Sequence, residues 1–314
     1  MACQIRPSPA RTWWFGRMPA ARRRDAPMHD WPLVIFTLCL QASAGLAVLG
    51  LADCALLRGE ARAARLPVLL PMLGGAGLLA IAGLAASFGH LGYPLNAPNA
   101  IRNLGSSWLS REILATSAYI GVVCLAFLAT WRAGRVRLPW LTVAAVAGLA
   151  ATWCMGEVYR STSVAAWTTP ATHLGFFGCL VVLGAVLGLW LGAHRAAAAA
   201  GVQASQRLLA LAVVAVAVSL LVQLVAWPDY LLAVHAPAVE VGRTFPIASA
   251  AALDAHADLR LVRWSVAGVG CLGLAWAAWG ALRPATRIGL LAVASALLLV
   301  GELAGRYLFF AIHG

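Results

Sequence analysis

Eight apolar runs, each about as long as a helix needs to cross a bilayer, constrain this chain more than any other feature. They fall near Trp31–Leu57, Leu66–Gly89, Glu112–Trp131, Leu138–Val158, Thr172–Ala193, Arg207–Trp227, Leu261–Leu282 and Ile288–Ile312. About 30 Å of hydrocarbon takes roughly 20 helical residues. Backbone groups in lipid must be satisfied inside their own segment, so the runs read as helices. Of 314 residues, 62% are hydrophobic and only 11% charged, against roughly 25% charged in a soluble domain. The expected fold is all-α, a polytopic transmembrane helix bundle with eight spans. Residues 28–314 form one membrane domain and residues 1–27 a basic N-terminal extension.

The loops fall into two sets. After spans 1, 3, 5 and 7 come short basic loops with Arg58, Arg62 and Arg65, then Arg132, Arg135 and Arg137, then Arg195 and Arg207, then Arg283 and Arg287, offset only by Glu60. After spans 2, 4 and 6 come longer mixed loops, where Arg102, Arg160, Arg243 and Arg260 stand beside Asp229, Glu240, Asp254 and Asp258. The positive-inside rule puts the first set in the cytoplasm and both termini on the outer, periplasmic side. The six arginines of residues 1–27 argue for the opposite start. A natural start at Met28 resolves the conflict. A basic tail, or a signal peptide cleaved near Ala42-Ser43-Ala44, are the alternatives. The net charge of +12 is spread over loops as topology demands, so no nucleic-acid partner is expected.

The seven cysteines, Cys3, Cys39, Cys54, Cys124, Cys154, Cys179 and Cys271, contain no C-x-x-C pair. That spacing argues against a ferredoxin-type cluster and suits small buried hydrophobes. A b-type haem needs two facing axial histidines; His90 and His173 are the only candidate pair, and no haem is expected.

Ionisable groups in or at the edge of spans are costly and tend to be functional. Here they gather at one end: His90 closes span 2, Glu112 opens span 3, Glu157 closes span 4, His173 opens span 5, and Glu302 and Arg306 lie in the outer half of span 8. Structural readings stand beside each. His90 suits a helix cap, Glu112 the positive end of a helix dipole, and Glu302 with Arg306 an i, i+4 ion pair. Glu157 suits a pair with Arg160, and His173 a bond to a loop carbonyl. Trp108 and Trp167 suit the interfacial aromatic belt. The polar connector GHLGYPLNAPNAIRNLGSSWLSRE, Gly89–Glu112, holds an imidazole and a carboxylate at the same membrane edge. That is the pair of proton-active groups that quinol chemistry requires.

The segment HLGYPLNAPNAIRNLGSSWLSREI (His90–Ile113) resembles the signature of the membrane anchor subunit of dimethyl-sulfoxide reductase. The start MHDWPLVIFTLCLQ from Met28, the VYR and AWTTP pieces (Val158–Arg160, Ala166–Pro170) and VGELAGRYLFF (Val300–Phe310) resemble the same family. The resemblance implies a non-catalytic, eight-helix subunit of the bacterial cytoplasmic membrane with no prosthetic group of its own, hence no haem, iron–sulfur cluster or metal. It implies menaquinol, or another quinol, as bound substrate. An iron–sulfur subunit and a molybdopterin catalytic subunit are the implied partners. The family's quinol-site histidine and glutamate fall on His90 and Glu112, and Arg111 and Arg102 are placed to stabilise charge on quinol oxygens or to dock a partner. His173, Glu302 and Arg306 remain secondary candidates. A passive anchor and a small-solute transporter are the rival readings.

Overall fold

The computed structural model describes residues 31–90, 99, 102–162, 164–200, 202–236 and 249–312; the side chains of residues 90, 194–200 and 202–204 lie outside the description. The N-terminal extension, Met28, residues 91–98, 100 and 101 of the His90–Ile113 connector and His313 therefore fall outside the described residues. The described helices are α1 (Trp31–Ala55), α2 (Gly59–Ala63), α3 (Leu66–Ser87), α4 (Trp108–Ala133), α5 (Leu138–Arg160), α6 (Ala171–Ala200), α7 (Val202–His235), α8 (Ser249–Ala255), α9 (Ala257–Trp279) and α10 (Pro284–Ala311), with a 3₁₀ turn, Phe88–His90, closing α3. Eight of the segments are long and apolar enough to span a membrane. Each overlaps an expected run. The largest departure is α7, which continues through Pro228 to His235 where the apolar pattern ends near Trp227. The Ala-rich stretch before the seventh span forms α8, with Ser249 and Leu253 buried.

Local chemistry marks the ends. Ser107 caps α4, its Oγ accepting from the Ser110 N–H at 3.4 Å. Gly134 closes α4 at φ 57°, a left-handed conformation natural to glycine. Proline stands in the first turn of α3, α5 and α10, where no intrahelical N–H is lost.

Burial periodicity shows the arrangement. In α1 every residue from Gln41 through Ala47 is buried, which a helix achieves only when neighbours surround it. It packs against α3, α5 and α6, with α10 touching it more lightly. The α1–α6 crossing is close: a Cβ on Gly45 would stand 2.8 Å from the Gly184 Cα. Small residues allow such approach where apolar burial against lipid gives helices no reason to associate. In α9, by contrast, only Ala267, Gly270, Leu274 and Ala277 are buried, a single stripe turned to α10 and α7.

The spans alternate in direction, so two ends are defined. One holds the basic loops, where Asp53 of α1 pairs with Arg65 at 3.1 Å and Arg207 at 3.6 Å. The other holds the 3₁₀ turn, the start of α4, the end of α5 and the start of α6. Here the Trp167 indole donates to the Phe309 carbonyl at 2.8 Å. Trp167 is 7% exposed, so it is a core staple between the α5–α6 loop and α10, not a member of the aromatic belt. A buried hydroxyl pair ties α1, α3 and α4: Ser43 Oγ lies 2.7 Å from the Ala76 carbonyl and 2.6 Å from Tyr119 Oη. Since the serine proton goes to the carbonyl, Tyr119 is the donor to Ser43.

Candidate functional site

Glu112 lies in the first turns of α4 and is 6% exposed. Helical spacing puts it on the stripe that carries Thr116, Tyr119 and Val123, all buried. Among the described residues no basic side chain forms an ion pair with its carboxylate. Cys154 of α5 lies within the field of Glu112, Arg111 and Glu157, which sets the end of α5 beside the carboxylate. His90 closes the 3₁₀ turn after α3. Because α3 and α4 pack as antiparallel neighbours, the His90 backbone and Glu112 occupy the same end of the bundle. The His90 side chain lies outside the described residues.

The two arginines of the connector behave differently. Arg111 turns back on its own loop: Nε donates to the Leu104 carbonyl at 2.8 Å and Nη2 to the Gly105 carbonyl at 2.8 Å. Its guanidinium also covers Trp108 at 4.4 Å. It folds residues 104–105 against the start of α4 and so shapes the approach to Glu112. Arg102 is exposed.

His173 forms a second group with the end of α5. Its ring lies 4.2 Å from that of Trp153 of α5, so it packs against a helix. Nε2 lies 3.4 Å from Glu157 Oε1, and the same oxygen accepts from Arg160 Nη1 at 2.8 Å. The Glu157–Arg160 pair is as the sequence suggested. Gly156 makes room for the ring, since a Cβ there would stand 2.8 Å from Nε2.

Glu302 and Arg306 are buried but do not form the expected direct ion pair. Arg306 Nη2 donates to Gln41 Oε1 of α1 at 2.5 Å, and its guanidinium lies 4.1 Å over the Phe176 ring. Cys179 of α6 is buried close to both Glu302 and Arg306. Sequence spacing could not find Cys179 or Gln41, because both come from other helices. The structure separates the candidates into three groups at one end: His90 and Glu112 on α3 and α4, His173 and Glu157 where α5 meets α6, and Glu302 with Arg306 between α6, α1 and α10.

A bundle of helices in which eight segments are long and apolar enough to span a bilayer defines an integral membrane protein. Comparison with known proteins narrows the class. Residues 25–312 match the family described as DMSO reductase anchor subunit (DmsC), and the chain belongs to that family. It is 32% identical over 292 residues to the C chain of the anaerobic dimethyl sulfoxide reductase of Escherichia coli K12, covering 91% of this protein and 95% of that one. Against the YnfH chain of anaerobic dimethyl sulfoxide reductase from the same organism it is 29% identical, with the same coverage. A shorter stretch of 134 residues is 34% identical to the C subunit of sulfite dehydrogenase from Allochromatium vinosum, over 38% of this protein and 40% of that one. The protein is a membrane anchor subunit of the dimethyl-sulfoxide-reductase type, and such a subunit implies catalytic and electron-transfer partner subunits.

Proposed function

We propose that the chain binds a quinol, menaquinol or a relative, between the end of α3 and the start of α4, and passes its electrons to an iron–sulfur partner that feeds a molybdopterin subunit. The observation that carries this reading is Glu112, a carboxylate buried in lipid-spanning structure without a basic partner among the described residues, at the bundle end where His90 closes α3. A charge in that position is expensive unless it serves a purpose. The flanks suit a ligand arriving from the membrane: Leu109, Leu114 and Trp153 are each about half exposed along α4 and α5.

In this reading the quinol gives up two electrons and two protons together. Imidazole is the side chain that ordinarily titrates near neutral pH, so His90 takes a ring-hydroxyl proton as the electrons leave. Glu112 orients that imidazole or relays the proton outward. Arg111 holds the connector in place through its two carbonyl bonds, and Arg102 faces the partner or the quinol oxygens. The electron carriers belong to the partners, and this subunit supplies binding and proton handling. The cytoplasmic membrane of a bacterium is the setting, with proton release on the outer side.

The test uses the assembled complex. His90→Arg and Glu112→Lys are expected to abolish quinol-dependent reduction of the terminal acceptor while leaving reduction by a soluble viologen donor intact, because viologen bypasses the quinol. Equal loss of both activities would place these residues in assembly and defeat the proposal. Full quinol activity in both variants would remove His90 and Glu112 from the quinol site and defeat the proposal.

A further inference from the structure

A cleft of about 90 Å³ opens between α6, α7, α9 and α10, away from α3 and α4. Its lining includes Gln223, Arg260, Arg263, Trp264, Glu302 and Arg306. Three guanidiniums thus face one carboxylate, which leaves the lining positive by two formal charges. Arg263 Nη2 donates to Gln223 Oε1 at 2.9 Å, and its guanidinium lies 5.0 Å from the Trp264 ring. Arg260 has Asp254 at 3.8 Å on its outer side. Two groups on the lining find no acceptor among the described residues: Arg306 Nε, on a residue 4% exposed, and Trp264 Nε1.

Both orphan groups are donors with no capacity to accept. The cleft therefore calls for a ligand rich in acceptor oxygens and negative in charge. Volume narrows the choice. Pockets that enclose a whole small molecule run to roughly 300–1,000 Å³, so about 90 Å³ admits a compact head and excludes a substituted ring system. Position narrows it again. Arg260 and Arg263 stand in the first two turns of α9, at the level where headgroups meet hydrocarbon. Beside the cleft, Leu224, Val225, Leu232 and Leu261 are 54%, 69%, 72% and 69% exposed, an apolar bed for acyl chains. Guanidinium is the side chain best matched to phosphate oxygens.

We propose that this cleft seats the phosphodiester head of one anionic membrane lipid, with Arg260 and Arg263 facing the phosphate, Trp264 Nε1 and Arg306 Nε donating to its oxygens, and the acyl chains lying along α7 and α9. The lipid joins α9 and α10 to the α6–α7 pair at the bundle end that carries the other candidate groups. The site is separate from the quinol site and does not depend on it.

The complex is reconstituted in nanodiscs of phosphatidylcholine with or without phosphatidylglycerol, and lipid retained after transfer to detergent is counted by native mass spectrometry. The wild type is expected to keep one phosphatidylglycerol and no phosphatidylcholine. Arg260→Gln is expected to lower retention about fivefold, the value of one basic side chain near a membrane surface. Trp264→Phe keeps the ring, removes only the N–H and lowers retention about threefold. It carries the test should Arg260→Gln fail to fold. Equal retention by wild type and Trp264→Phe, or retention of phosphatidylcholine as well as phosphatidylglycerol, overturns the proposal. So does displacement of the lipid by inorganic phosphate, which would mark a free-anion site. A quinone retained in place of phospholipid, and lost in Trp264→Phe, overturns it as well.

Discussion

Replacing Asp53 by asparagine removes the negative member of a triad at the basic-loop end of the bundle. Asp53 Oδ1 stands 3.1 Å from Arg65 Nη2 and 3.6 Å from Arg207 Nε. The Asp53 and Arg65 side chains are 2% and 3% exposed, whereas Arg207 is 35% exposed. At an effective permittivity of about 20 the Asp53–Arg65 attraction is about 5 kcal/mol before solvation is counted. Most of that offsets the cost of taking both charges out of water, so the intact pair contributes little net stability. Deleting one partner is another matter: Arg65 stays buried and loses the carboxylate that faces it, at a cost of up to about 3–5 kcal/mol. Arg207 can rehydrate, so its pairing with Asp53 is worth at most about 1 kcal/mol. Three variants separate these contributions. Asp53→Asn is expected to lose up to about 3–5 kcal/mol in reversible dodecyl-sulfate unfolding from mixed micelles, followed by tryptophan fluorescence. Arg207→Gln is expected to lose about 1 kcal/mol or less. The double variant Asp53→Leu with Arg65→Met is expected to return close to wild type, because it removes both charges and fills the space with apolar atoms. The reasoning fails if Asp53→Asn unfolds like wild type, or if the apolar pair is no more stable than Asp53→Asn alone.

Other perturbations follow from the same packing. Gly156→Ala places a methyl 2.8 Å from His173 Nε2, and the ring is confined by Trp153, so a loss of about 1–3 kcal/mol is expected on unfolding; Gly121→Ala, with nothing within 4 Å, is the control without a clash and is expected to gain up to about 1 kcal/mol from helix propensity. Tyr119→Phe removes the donor to Ser43 and is expected to cost about 0.6 kcal/mol, the average for a hydrogen bond between membrane helices. Ser43→Ala is expected to cost more in the same assay, since it leaves the buried Tyr119 hydroxyl without its acceptor. Arg111→Lys cannot span the two carbonyls that Arg111 bridges; faster hydrogen exchange in residues 102–107 and a raised KM for quinol, with viologen activity unchanged, are the expected readouts.

The eight spans were legible because hydrophobic length is a coarse signal that nothing else in the chain competes with. The gathering of polar groups at one end was legible for the same reason: alternating spans assign every boundary to one end or the other. Boundaries were less so. Span six reads as ending near Trp227, yet α7 runs on to His235, since its last turns are amphipathic and Tyr230 and Val234 are buried. Trp167 looked interfacial because composition reports where a residue stands along the membrane normal, not whether its ring faces lipid or protein.

Glu302 and Arg306 show why partner choice was the least legible part. A spacing of i, i+4 places two side chains on one face, and on a helix in water that proximity is worth a few tenths of a kcal/mol because nothing nearby competes strongly. In a buried bundle each polar atom seeks whatever partner the neighbouring helices present, since an unpaired one is costly there. Gln41 stands on α1 and meets Arg306 directly, and Phe176 of α6 lies under the same guanidinium. Arg111 and Glu112 are adjacent in α4 and point to different faces of the helix. The loop carbonyls of Leu104 and Gly105 capture the guanidinium, while the carboxylate one residue on is buried without a basic partner among the described residues. Glu112 faces the bundle on the stripe that carries Thr116, Tyr119 and Val123, and a buried carboxylate without a basic partner among the described residues is the group on which the proposed chemistry at this end of the bundle rests.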